Sequence, residues 1–566
     1  MKKLLFFIIF LIGFSDLLSA RQRTLAEMQG VAANVLQSNA KERQTRATPI
    51  NSGLSVIESN SQITVFGSKN LGFAIVSNDD QFDPVLGYSD NYDGTIAPSC
   101  RWFLEALSKS LQYMLEKGTP VVVVKKAADY KPAVSEMLSS RWNQGEPFNN
   151  LCPEYYDASG TTVAGRYVTG CVATAMAQIM YYNKYPDVGV GSKSYRFTPE
   201  NGTSTRISSI FQNNTYDWAN MIDVYKSGAY TSTQSDAVAQ IMYDCGVSVS
   251  MQYSKDGSGA YSSDACLALR QNFNYDKNIK MFCRDYYPVD EWMNLIYKEI
   301  NDGCPILYSG QSSTGGHSFV FDGYNENGLV HVNWGWGGSS NGYFNIASLN
   351  GFSSSQDLVQ VRKPMGLPYY SIWGLSSNLN CQKKTATTFS VGSNGTIFNL
   401  DVEAFSGNLG IIIQSTSDAT KQYVAYTQSE NINAYGVDGK IYGAALSTQT
   451  IDISSLGLAD GEYRIYLGTK SSSETEWRAI RSKEDVKNSS IMTITNGNLT
   501  LTDETSVWTD IRNVETDNSS NNIVRVYDTT GREVYRAPAY SFHTSDIPAK
   551  GVLIIRNGTS VKKIMK

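Results

Sequence analysis

The 566 residues carry 48 Lys and Arg against 53 Asp and Glu, with 41% hydrophobic and 18% charged side chains. That balance excludes a disordered or membrane-embedded chain, leaves no basic excess for gripping nucleic acid, and at roughly 150 residues per domain suggests three or four domains. Eight cysteines show neither a framework spacing nor a CxxC pair, and the three histidines (His317, His331, His543) form no HExxH, so neither a metal nor another cofactor is expected.

In chain order, Lys2 and Lys3 precede the apolar run Leu4 to Ile12, the polar Ser15 and Asp16, and a candidate cleavage site at Leu18-Ser19-Ala20. This is the pattern of a signal peptide over residues 1–20, the apolar run falling well short of the roughly 20 residues of a spanning helix. Residues 21–131 predict a small α+β unit, with a helix over Leu25 to Lys41 and strands at Ile63 to Phe66 and Phe73 to Val76. A closing helix begins at Pro98, with Ser99 as N-cap, and stops at Gly118. The charged, Pro-punctuated stretch Lys125 to Pro132 reads as a linker open to processing. Residues 132–365 mix helices and strands, with Trp, Tyr and Gly concentrated in turns. Residues 366–500 change to short, regularly spaced strands (Ile397 to Val402, Gly410 to Gln414, Tyr463 to Leu467), the pattern of a β-sandwich. Residues 501–566 form a last compact β unit, from Val524 to Asp528 through Val552 to Ile555 to Lys562 to Lys566.

Chemistry concentrates in the middle segment. Cys171 follows Thr169-Gly170 and begins an apolar-patterned helix ended by Pro186. At a helix N-terminus the unsatisfied N–H groups favour a thiolate, the nucleophilic form; the competing reading is an ordinary core thiol. His317, preceded by Gly315-Gly316, opens an apolar strand and is the candidate base. The Asn327-Gly328 turn places the strand Leu329 to Trp334 antiparallel to it, so Asn333 can orient the imidazole and Trp334 can shield that bond. His331 is the rival base: under strict alternation it faces the same way as Asn333, so burial or a bulge must separate the two. Gln144, in the polar turn Trp142 to Gly145, can donate to an oxyanion alongside the N–H of Cys171. Gly338 to Gly342 matches the G-x-S-x-G of serine hydrolases but lacks the strand before it and the helix after it.

Together, Gly170 to Met180, Gly315-Gly316-His317 and His331 to Gly338 resemble the streptopain family of papain-like cysteine peptidases, with Gln144, Cys171, His317 and Asn333 in the family's order. The resemblance implies a papain-like two-lobed α+β catalytic domain over 132–365. Cys171 is then the nucleophile, His317 the proton acceptor, Gln144 the oxyanion donor, Asn333 the orienting residue and Trp334 the shield. Gly316 and the loop around Ser258 and Gly259 would touch substrate. Gly72 to Asp80 and Pro84 to Ser89 resemble the family's inhibitory pro-domain, which makes residues 21–131 an intramolecular inhibitor. The segment Val524 to Lys566 resembles a type IX secretion sorting domain, implying export through the periplasm and the outer-membrane secretion machinery to the cell surface or medium.

The leading expectation is a secreted endopeptidase acting on proteins through a thioester acyl-enzyme. Two others stand beside it: a Cys/His amidase or transglutaminase-like acyl transferase, disfavoured by Gln144 and the Trp-Gly-Trp-Gly-Gly stretch, and a surface adhesin whose β-sandwich binds a ligand while the peptidase domain accompanies it.

Overall fold

A computed structural model of the protein describes residues 21–42, 53–118 apart from 70, 126, and 130–504 apart from 158, 160–161, 200–203, 313–314, 350–354 and 437–439. Beyond these it describes residue 508 and the strands 523–528, 533–538, 552–557 and 560–565. The signal peptide, most of the linker and most of the final segment expected from sequence lie outside the described residues. Two compact units emerge: Met1–Phe282 with Met293–Leu367, and Cys283–Trp292 with Pro368–Lys566.

The first unit opens with α1 (Leu25–Glu42), started by a capping box in which Thr24 Oγ1 accepts from the Glu27 N–H at 3.3 Å and Glu27 Oε2 accepts from the Thr24 N–H at 2.7 Å. Its Met28, Ala32 and Leu36, four residues apart on one stripe, pack on Ala74, Val76 and Tyr88. Those residues belong to an antiparallel meander of β1 (Ser55–Ser59), β2 (Ile63–Ser68), β3 (Gly72–Ser77) and β4 (Val85–Ser89). Next comes α2 (Pro98–Lys117), ended by Gly118 in the left-handed conformation at φ 62°. Its N-cap is Ala97, not Ser99 as the sequence suggests. The Ala97 N–H donates to Ser340 Oγ at 3.0 Å, and the Ser99 hydroxyl, two residues on, accepts from Trp336 Nε1 at 2.9 Å. Tertiary contacts have displaced the local cap.

The rest of this unit holds the hairpin β5 (Glu154–Tyr156) and β6 (Val163–Arg166), α3 (Cys171–Asn183), and the hairpin β7 (Lys193–Phe197) and β8 (Thr205–Ser209). After α4 (Ser232–Ser248) and α5 (Ser262–Gln271) come β9 (Met281–Cys283), β10 (Ile306–Ser312), β11 (Gly315–Tyr324), β12 (Val330–Asn333), β13 (Gly342–Phe344) and β14 (Asp357–Val359). One ten-stranded sheet runs β1-β2-β3-β4-β13-β12-β11-β10-β14-β9. The N-terminal meander is thus continuous with the sheet that carries His317 and Asn333, joined where Tyr343 pairs with Tyr88 and Phe344 with Gly87. Gly342 is required at this joint, because a Cβ there would lie 2.1 Å from the Tyr88 carbonyl oxygen.

In the second unit, sheets built from Trp373–Leu375, Thr388–Ser393, Phe405–Ser415, Gly461–Ser471 and Ser489–Thr495 with their neighbours enclose one apolar core. Its members include Trp373, Phe389, Phe405, Ile411, Ile465 and Met492. The expected strands at Ile397, Gly410 and Tyr463 all form, and the central runs 409–414 and 465–469 are buried on both faces. Cys283–Trp292 belongs here by its packing: buried Arg481 donates from Nε to the Tyr286 carbonyl at 2.9 Å, lies 4.0 Å over the Tyr287 ring and pairs with Glu291. The C-terminal strands form a separate four-stranded sheet, Glu533–Pro538, Ile523–Asp528, Val552–Asn557, Ser560–Met565.

Candidate active site

Cys171 is the first residue of α3, set there by Gly170 at φ 88°. A Cβ on Gly170 would come within 2.7 Å of Met251 Sδ and 2.9 Å of the Ser258 carbonyl, so the loop ahead of the helix accepts only glycine. Ser258 and Gly259, expected at the substrate, are committed to building this loop. The Ser258 hydroxyl donates to the Val168 carbonyl at 2.6 Å and accepts from the Ser254 N–H at 3.0 Å. Gly259 exchanges both backbone bonds with Gln252, at 2.9 and 3.0 Å. Gln144 reaches the same place from the other side: it is buried, and its carbonyl accepts from the Thr169 N–H at 3.0 Å.

The thiol of Cys171 is contacted by the N–H and hydroxyl of Ser318 and by the N–H of Val172 and its own. His317, the preceding residue on β11, is not its partner here. In the β10–β11 ladder His317 stands opposite Gly310, and a Cβ on Gly310 would meet the Trp102 ring at 2.0 Å. Directly opposed residues share a face, so His317 projects toward α2, which covers that face with Trp102 against Phe319 at 5.6 Å. Ser318 points the other way, its hydroxyl 2.7 Å from that of Ser309. Among the described residues the imidazole makes no hydrogen bond.

Electrostatics agree with this separation. Burial raises the Cys171 thiol above its ordinary value, and the N–H and hydroxyl groups around it only partly oppose this. For the His317 imidazole burial acts downward, with Glu105 of α2 pulling the other way. Both shifts favour the neutral forms, against the thiolate that the helix terminus alone would favour.

Asn333 ends β12 and Trp334 follows it, both fully buried. Asn333 Nδ2 donates to the Ser140 carbonyl at 3.0 Å, and its Oδ1 accepts from the Gly335 N–H at 3.1 Å and from Gln178 Nε2 at 3.3 Å. Trp334 donates from Nε1 to the Ser340 carbonyl at 2.9 Å and packs on Phe319, Phe344 and Phe103, the last from α2. Gly316 is exposed opposite Gln311. The serine of the G-x-S-x-G pattern, Ser340, is buried, and its hydroxyl accepts from the Ala97 N–H.

His331, the rival base, is held between two carboxylates. His331 is 1% exposed, with Nδ1 2.5 Å from Asp322 Oδ1 and Nε2 3.0 Å from Glu136 Oε2. Burial alone would lower its pKa, but the two carboxylates outweigh it and raise it to about 9. Asp322 sits at a β-bulge, since Phe321 pairs with Val332 and Gly323 with His331, which leaves its carboxylate free to cover the imidazole. With both ring nitrogens against carboxylates and its protonated form favoured, the imidazole has no free nitrogen in this structure. Sequence reasoning missed Ser318, Gln178, Asp322 and Glu136. Gln178 alone carried a local signal, a polar residue seven positions after Cys171 in an otherwise apolar helix.

A cysteine at a glycine-led helix start, with a histidine and an amide on adjacent strands of one sheet, defines a cysteine peptidase of mixed helix-and-sheet fold. Residues 142–344 match the Peptidase C10 family. The chain is 33% identical over 303 residues to streptopain of Streptococcus pyogenes, covering 52% of this chain and 75% of that one. It is 32% identical over 343 residues to the thiol protease/hemagglutinin PrtT of Porphyromonas gingivalis, covering 55% of this chain and 38% of that one. Its fold is similar to the solved structure of a prointerpain A fragment from Prevotella intermedia, with 38% identity and a TM-score of 0.50 over 56% of this chain and 99% of that one. The chain belongs to the Peptidase C10 family, and it is a cysteine endopeptidase.

Proposed function

We propose that the protein is a secreted, self-inhibited endopeptidase precursor in which Cys171 attacks the peptide carbonyl and His317 moves the proton. The observation that carries this reading is the register of β11, which sends His317 to the face that α2 covers and Ser318 to the opposite face. Nucleophile and base lie on one short stretch of sheet and helix, one strand position out of step. Residues 21–131 act as the inhibitor: α2 covers the face that His317 occupies, and the N-terminal meander is anchored through β4 and β13. Once α2 leaves, His317 turns to the sulfur in place of Ser318, and loss of cover favours the thiolate–imidazolium pair.

In the active form the thiolate forms a thioester, His317 returns its proton to the leaving amine, and water releases the acyl group. Gln144 and the Cys171 N–H hold the oxyanion, Asn333 holds the imidazole, Trp334 keeps that bond dry, and exposed Gly316 borders the cleft. Residues 1–20 direct export, and residues 501–566 engage the outer-membrane secretion machinery.

The test is casein hydrolysis by the full chain allowed to mature. Cys171→Ala is expected to lower turnover by at least about 10³-fold. A Cys171→Ala protein that still cleaves casein at the wild-type rate overturns the assignment of the nucleophile.

A further inference from the structure

The buried amide of Gln178 ties together three parts of the site, and none of the roles assigned so far uses it. Cys171, Thr174 and Gln178 fall at i, i+3 and i+7, one face of α3. Gln178 is 0% exposed. Its Oε1 accepts from the Ser140 hydroxyl at 3.0 Å and lies 3.4 Å from the Trp142 N–H, while its Nε2 donates to Asn333 Oδ1 at 3.3 Å.

The orientation of both amides follows from backbone groups that have only one role. The Trp142 N–H can only donate, so the Gln178 atom facing it is the oxygen and its nitrogen faces Asn333. The Asn333 atom facing that nitrogen must accept, and the Gly335 N–H at 3.1 Å and the Ser140 carbonyl on Nδ2 at 3.0 Å demand the same orientation. Trp142 in turn accepts from the Gly337 N–H at 2.8 Å through its carbonyl, so the segment leading to Gln144 and the glycine-rich loop after Trp334 are tied to α3.

We propose that Gln178 is a positioning residue for the peptidase reaction. It holds the Asn333 amide in one orientation against α3. It acts through Asn333 and touches neither substrate nor the reacting atoms. The inference rests on the reading of Asn333 as the imidazole's partner, and the experiment separates the two.

The full chain is allowed to mature and assayed on fluorescent casein, with active enzyme counted by an irreversible thiol-directed epoxide. Gln178→Met keeps the side-chain length and removes the hydrogen bonds. Its kcat per titrated thiol is expected to fall roughly tenfold to a hundredfold with KM within about twofold, the scale of a misplaced catalytic group. The high-pH limb of its kcat/KM profile is expected to move to lower pH, because an imidazolium without its oriented acceptor loses its proton more readily. In an Asn333→Ala background the same substitution is expected to add nothing. If Gln178→Met yields no titratable enzyme, Gln178→Glu, which keeps the acceptor for Trp142 and Ser140 but has no donor for Asn333, carries the test. The proposal is overturned if either variant lowers only the melting temperature or the amount of titratable enzyme, with kcat and pH profile unchanged, or if the effect persists in full in Asn333→Ala. Wild-type kcat in Asn333→Ala itself overturns the reading of Asn333, and this inference with it.

Discussion

His331 shows how one residue type takes two roles in the same sheet. It sits between Asp322 and Glu136, and its pKa of about 9 exceeds the ordinary 6.5. A raised folded-state value means that the protonated form stabilises the fold, fully below pH 6.5 and progressively less as pH climbs toward 9. The gap corresponds to on the order of 3 kcal/mol. Wild type should therefore lose stability between pH 6.5 and 9 relative to His331→Gln, which carries no titrating group there. Urea midpoints of both proteins across that range would reveal parallel curves if the triad contributed nothing. The choice between the two histidines was only partly legible in the sequence. The two glycines favoured His317, but what weighs against His331 is its contact with Asp322, nine residues upstream, and with Glu136 from a distant segment, neither of which the local pattern displays.

At the scale of elements, the local features read well and the pairings did not. The helix that begins at Cys171, the turn at Asn327-Gly328 and the Gly118 stop are dictated by neighbours in the chain, so composition and spacing revealed them. The N-cap of α2 passed from Ser99 to Ala97 because Ser340 and Trp336, more than 200 residues away in sequence, claim the groups involved. The alternation that sends His317 to one side and Ser318 to the other depends on the β10–β11 register, which no single strand encodes. Gly310 makes that register testable. A methyl group at this position would collide with the Trp102 ring, which is buried and cannot swing aside. Gly310→Ala should therefore loosen α2 in the precursor. Cys171 in uncleaved Gly310→Ala should react with iodoacetamide several-fold faster than in the uncleaved wild-type chain, while the matured enzymes differ little. Equal rates in the two precursors would mean that α2 does not guard this face.

For the whole molecule, the neutral state of Cys171 and His317 makes reactivity a gauge of maturation. In the uncleaved chain alkylation of Cys171 should stay slow at pH 7 and rise only above pH 9, the ordinary thiol value that burial exceeds. After residues 21–131 are removed it should be fast at pH 6. Mass spectrometry of the labelled peptide would read both, and fast labelling of the intact precursor at pH 6 would argue against latency by separation of the pair. The second unit carries its own expectation. Because Cys283–Trp292 packs with residues beyond Pro368, ending the chain at Leu367 should strip Tyr286, Tyr287 and Glu291 of Arg481, lowering the melting temperature and increasing dye binding to exposed apolar surface. The change of pattern near residue 366 was visible in composition; the membership of 283–292 was not, since it depends on contacts across about 190 residues of sequence.

The sheet that spans the first unit has a last consequence. While β4 is hydrogen-bonded to β13, the strands bearing the catalytic groups have no open border on that side. Removing the N-terminal meander would convert β13 into an edge strand with unpaired backbone groups at Tyr343 and Phe344. Long edges recruit other chains, and proteins restrain them by keeping them short. At three residues, with a glycine at one end, β13 is long enough to hold β4 and would be too short to template aggregation were the meander removed.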